Sequence, residues 1–238
     1  MPVFRSIVIS AALAGLIVGT LISVLQFFGT VPLIQQSEAY ERKSAPAHAP
    51  ATHGHAEKDK APESEWEPEP GLQRNAFTLA ANILTAIGFA LLLTGIYAIR
   101  GGAAPSWREG MFWGLAGFAV FTIAPGLGLP PELPGMPVAD LTARQIWWIG
   151  TAGATAMALS FWFLRSETWA AALGLFLIVL PHLIGAPMAP EFHSDVPAAL
   201  SHRFVVVVTL TSLVFWILLG ICSSLAFARI GRTPQATE

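Results

Sequence analysis

Charge is scarce in this sequence. Asp, Glu, Lys and Arg supply 12% of its 238 residues, about half the roughly 25% of a soluble domain. Hydrophobic residues reach 54% and the mean hydropathy is +0.59. Such a chain cannot cover itself with solvated side chains, so it reads as an integral membrane protein with the lipid bilayer as its solvent. A net charge of -2 without a basic stripe excludes a nucleic-acid partner. Cysteine is nearly absent as well. The single Cys222 rules out an intrachain disulfide, and within Leu218-Leu219-Gly220-Ile221-Cys222 it reads as a small apolar core residue. No G-x-x-x-x-G-K-[ST] loop is present for ATP, no nucleophile and base are paired for catalysis, and no paired intramembrane histidines are present for two haems. The chain is expected not to be an enzyme and to hold no organic cofactor.

Long apolar runs are what the sequence has instead. A bilayer core takes about 20 mostly apolar residues per helix. Six runs meet or approach that length: 7–28, 77–99, 111–129 with Pro125 inside it, 146–164, 169–186 with Pro181 near its end, and 204–227. Arg5 precedes the first run, whose length and following Gln26-Phe27-Phe28 fit an anchor helix better than a cleaved signal. The expected fold is an all-α integral membrane protein, one membrane domain over 1–238 with six transmembrane helices. A flexible, polar His/Glu/Pro-rich loop, 36–75, is inserted between the first two. Arg5, Arg100, Arg108, Arg165, Arg229 and Arg232 fall on the side of the termini, against Arg144 and Arg203 in the other short loops. The positive-inside rule then makes both termini cytoplasmic and the 36–75 loop extracytoplasmic. Tryptophans near predicted helix ends form an ordinary interfacial belt. Gly15 with Gly19, and Gly110 with Gly114, are small-xxx-small pairs that mark close helix packing.

Two segments align at an offset of 59 residues. Pro131-Glu132-Leu133 matches Pro190-Glu191-Phe192, and the 139–144 stretch ending in Arg144 matches 198–203 ending in Arg203. Upstream, Pro125-Gly126-Leu127-Gly128 and Pro181-His182-Leu183-Ile184-Gly185 break the preceding helices. Each unit is therefore a broken helix, a Pro-rich loop with a Glu, an Arg, and an unbroken helix, arranged as parallel repeats. Pro32-Leu33-Ile34, Glu38 and Arg74 make the first hairpin either a third, degenerate copy or a chance likeness between Pro-rich loops. Pairing of each Arg with its loop Glu would clamp the hairpins, since guanidinium and carboxylate match in geometry. Pro/Gly-broken helices either expose backbone toward a transported ion or simply stop at the membrane surface.

Histidine supplies the chemistry. His48, His53 and His55 fall within eight residues of the polar loop, beside acids from Glu57 to Glu69. Neutral imidazole is the commonest side-chain ligand for late divalent metals, so the cluster reads as a collector of cations; a plain hydrophilic linker is the alternative. His182 sits beside Pro181 at a helix end, where an ionisable group at membrane depth points to function or to a bond with a freed carbonyl. Glu191 and His193, with Asp195 and His202 near them, form a further polar group that matches no fixed metal motif. Glu132, His182, Glu191 and His193 are the expected ligands near the broken helix ends. Asn82 reads as glue between helices.

The chain resembles the CbtA family, whose members are probable cobalt transporter subunits. The resemblance lies in Phe4-Arg5 with an Ala/Gly-rich first helix, Pro32-Leu33-Ile34, Glu38-Ala39-Tyr40-Glu41, Phe89-Ala90-Leu91-Leu92-Leu93 and Trp113-Gly114-Leu115-Ala116-Gly117-Phe118. It is strongest in Ala124-Pro125-Gly126-Leu127-Gly128-Leu129-Pro130-Pro131-Glu132-Leu133-Pro134-Gly135, Ala143-Arg144-Gln145-Ile146-Trp147-Trp148 and Pro181-His182-Leu183-Ile184-Gly185-Ala186-Pro187. The resemblance implies a multi-pass protein of the bacterial inner membrane, cobalt as the transported divalent ion, and a small single-span CbtB-like partner. Glu132, Arg144, Gln145 and His182 are the polar positions it matches. The expected function is a membrane subunit of cobalt import; the alternative is a non-transporting structural or accessory subunit of a larger membrane complex, favoured by the small number of charges inside the helices.

Overall fold

A computed structural model describes residues 2–44, 68–69, 71–189 and 194–231. The described residues form helices and connecting segments, with no strand: α1 Pro2–Phe28, α2 Thr30–Ser44, α3 Leu72–Arg100, α4 Trp107–Phe118, a π-helical turn Ala119–Ile123, α5 Ala124–Gly126, α6 Leu141–Leu164, α7 Thr168–Ile184 and α8 Ala198–Ile230. Four of them, α1, α3, α6 and α8, are long and apolar enough to cross a membrane; α7 is a shorter apolar helix of 17 residues. The run 111–129 is divided among α4, the π turn and α5. Pro125 explains the division. It has no N–H to give and its ring displaces the carbonyl four residues back. The chain widens just before it, and Ala124 N–H reaches back to Ala119 O. The nine residues 36–44 that begin the polar loop continue α2 as helix.

Small residues set the packing of α1, α3, α4 and α8. Gly15 and Gly19 of α1 lie directly against the Ile87 and Ile83 backbone of α3, with no room for a Cβ. Gly110, Gly114 and Gly117 of α4 meet Ser224, Gly220 and Trp216 of α8 in the same way. Such contacts let helix backbones approach where lipid offers no hydrophobic drive. Both crossings are antiparallel. Ala11, Ala14, Val18, Ala86, Ala90, Trp216 and Leu219 form the buried core between them. Trp216 stacks on Phe121 of the π turn, ring centres 5.5 Å apart, and its Nε1 donates to Thr122 Oγ1 at 3.2 Å.

Helices α6 and α7 form an antiparallel hairpin. Trp162 Nε1 donates to Ala171 O at 3.2 Å and Trp147 Nε1 to Pro181 O at 3.3 Å. The hairpin meets the other helices chiefly at the π turn and α5. Toward the opposite end it stands off, leaving an apolar cavity of about 610 Å³ walled by α3, α4, α6 and Trp216. The start of α1, the end of α8 and the 101–106 turn therefore share one end of the bundle, and α2 with the 127–140 segment shares the other.

Candidate functional site at the loop end

The three inter-helix segments expected from the sequence meet at one end. Leu33 of α2, Leu133 of the 127–140 segment and Phe204 of α8 are buried together, with Met136 and Val196 packed on them. Ser37 Oγ donates to Pro134 O at 2.7 Å, and Ser194 Oγ donates to Gly135 O at 3.0 Å. Gly135 takes a positive φ of 78° at this junction, with Glu41 of α2 beside it, a conformation that favours a residue without a Cβ.

Two of the Arg–Glu clamps are formed. Arg74 of α3 pairs with Glu38 of α2 at 2.5 Å, and Arg144 of α6 with Glu132 at 2.9 Å. The second contact is between charges rather than an aligned hydrogen bond, since Glu132 Oε2 is buried with no hydrogen-bond partner. Asp140 caps α6 by accepting from Ala143 N–H at 2.9 Å, which fixes the helix start that carries Arg144. Arg203, at the start of α8, is exposed; its expected partner Glu191 lies outside the described residues.

His182, in the last turn of α7, meets Trp147 in an edge-type contact, ring centres 5.9 Å apart. Its Nε2 is buried without a hydrogen-bond partner. Gly128 backs the same indole so closely that a Cβ there would strike it. In a neutral imidazole one ring nitrogen is an acceptor, and that nitrogen is what a late divalent metal takes. Glu132 is brought against Arg144, not against another ligand. Among the described residues no three of His, Cys, Asp and Glu gather as a metal site. His48, His53, His55, Glu191 and His193 lie outside the described residues; His202 is exposed at the start of α8.

A second polar group at this end contains Asn82, expected as glue between helices. Asn82 of α3 donates to Ser23 Oγ at 2.9 Å and to Gln26 Oε1 at 2.7 Å on α1. Ser23, Gln26 and Thr30 are spaced three and four apart, and so are Asn75, Thr78 and Asn82. That spacing puts Ser23 and Gln26 on one face of α1, with Thr30 just beyond at the start of α2, and puts Asn75, Thr78 and Asn82 on one face of α3; it is visible in the sequence once polar rather than apolar positions are followed.

Residues 4–228 match the model of the family described as probable cobalt transporter subunit (CbtA). No curated protein and no solved structure matches the chain.

Proposed function

The chain belongs to the CbtA family of probable cobalt transporter subunits, and on that premise we propose that it captures Co²⁺ outside the cytoplasm and passes it inward. The family match over residues 4–228 carries the proposal. Membership of a multi-subunit transporter implies a partner, and we take it to be a small single-span CbtB-like protein. In this reading the chain crosses the bacterial inner membrane six times with both termini cytoplasmic. His48, His53 and His55 collect ions at the loop end. His182, whose Nε2 has no hydrogen-bond partner, then ligates the metal together with Glu191 and His193. Glu132 joins only by giving up Arg144, so its role is that of a ligand exchanged during transport.

One observation favours the second reading, in which the chain is a non-transporting accessory protein of a larger complex. Glu132 is committed to Arg144. Uptake of Co²⁺ by cells carrying chain and partner separates the two. His182→Ala is expected to lower maximal uptake. Replacing His48, His53 and His55 together by Ala is expected to raise the half-saturating concentration and leave the maximum unchanged. Wild-type uptake in both variants removes the site assignment, and absence of any chain-dependent uptake decides for the accessory role.

A further inference from the structure

We propose that a membrane phospholipid binds where α1, α2, α3 and α8 meet, with its phosphate held at the loop end and one acyl chain laid between α1 and α3. Two adjoining cavities, about 380 and 340 Å³, share Gln26, Phe27, Val31, Asn75 and Thr78 as walls. Beyond those walls they differ in chemistry. The larger adds Gln35 of α2, Arg74 of α3, and Thr211 and Ser212 of α8. The smaller is a groove that adds Val24 and Phe28 of α1 and Leu79 of α3, and Val24, Phe27, Phe28 and Leu79 are all exposed along it. A ligand that fills both is polar at one end and apolar at the other. Depth gives the same order. At 1.5 Å per residue the 29 residues of α3 span about 44 Å, close to the roughly 40–45 Å of a bilayer with its headgroups. Arg74 and Asn75 stand about 3–5 Å from the Leu72 end, in the headgroup layer. Thr78 and Leu79 stand about 9–11 Å in, where acyl chains begin.

The hydrogen bonds divide the two cavities in the same way. In the groove the hydroxyls are already used. Thr20 donates to Leu16 O at 2.7 Å, Ser23 to Gly19 O at 2.8 Å and Thr78 to Arg74 O at 2.9 Å. A hydroxyl bonded back to its own helix meets an acyl chain without giving up a bond to water. In the larger cavity Gln26 Oε1 accepts from the Asn82 amide at 2.7 Å, which leaves the Gln26 N–H groups for the cavity that they border. Together with the Gln35 and Asn75 amides and the Arg74 guanidinium they supply donors, and guanidinium matches phosphate oxygens in geometry. Among the described residues no carboxylate lines either cavity. Arg74 also pairs with Glu38 of α2, so this end carries little excess charge. The phosphate is selected by donated hydrogens, and a zwitterionic phospholipid suffices. The lipid site stands independently of the import reading.

Vesicles of a phosphate-free galactolipid provide the test. The full chain is reconstituted with a trace of probe lipid that carries a diazirine near the glycerol end of one acyl chain. The probe has either a phosphatidylcholine or a galactolipid headgroup. After illumination, crosslinked residues are mapped by peptide mass spectrometry. Ile146 is 67% exposed and lies about 8 Å into α6 from the same end, so it reports bulk lipid. Relative to Ile146, the phosphatidylcholine probe is expected to label Val24, Phe27 and Val31 at least about threefold more than the galactolipid probe, a ratio that one net hydrogen bond supplies. Arg74→Gln is expected to reduce that excess, and so is Asn75→Leu, which spares the Arg74–Glu38 pair. Added inorganic phosphate is expected to leave it unchanged. Equal labelling by the two probes overturns the site, as does an excess that persists in both variants. An excess removed by inorganic phosphate assigns the larger cavity to a soluble anion and overturns the lipid.

Discussion

Gly110 and Gly220 meet across the α4–α8 crossing, and a Cβ built on Gly220 would fall on the Gly110 carbonyl oxygen. Neither backbone can yield without separating two helices along their contact. Gly220→Ala is therefore expected to destabilise by about 1–3 kcal/mol, the usual cost of overpacking. Gly150 of α6 has nothing within 4 Å of a built Cβ, so Gly150→Ala is expected to be neutral or stabilising by up to about 1 kcal/mol. Denaturation in detergent compares them; equal effects of the two substitutions would refute the close crossing.

The Glu132–Arg144 pair is partly buried, with side chains 20% and 31% exposed. A double-mutant cycle with Glu132→Gln and Arg144→Gln is expected to return a coupling of about 1 kcal/mol, at the upper end for exposed pairs. A coupling of zero would mean that the 127–140 segment is held without it.

Glu109 sets a pH dependence at the opposite end. The Ser106 backbone N–H, then the Arg100 side chain, holds its carboxyl below the usual carboxylate range; Arg100 Nη1 lies 2.8 Å away. A folded-state value below the unfolded one stabilises above the unfolded value, and that stability is lost as pH falls through the folded value. Glu109→Gln is expected to lower Tm at neutral pH, with the gap to wild type closing as the solution is acidified through the carboxylate range. A gap that stays constant with pH would show that the carboxylate charge plays no part.

On the import reading, Gly128→Val is expected to reduce Co²⁺ uptake without removing any polar group. The added side chain must displace the Trp147 indole, and with it the ring that borders His182. Wild-type uptake in this variant would separate Trp147 from the transport path.

Hydropathy made α1, α3, α6 and α8 legible, because their apolar runs are long and little interrupted. The repeated Pro, Glu and Arg pointed to the clamps at Arg74 and Arg144, which form with Glu38 and Glu132. Helix α2 was not legible. It is polar on average, and what holds it is distant in sequence: Leu33 on Leu133, and Ser37 on Pro134. Pro125 announced a break, but not that the break would be a π turn tied to Trp216. Asn82 was legible as glue between helices and ties α3 to α1; its partner Ser23 was not, because a hydropathy window averages isolated polar residues into their apolar neighbours. Of the expected metal ligands, Glu132 and His182 could be placed, and they carry different partners.

The α6–α7 hairpin is fastened near the loop end and stands away from α3 and α4 toward the other. A 610 Å³ apolar gap in a bilayer does not stay empty, because close packing governs stability there as elsewhere. Its walls, Phe89, Leu92, Phe112, Phe163 and Leu164 among them, offer acyl chains an apolar surface to pack on. Lipid composition is thus a variable to control in any reconstitution of this chain.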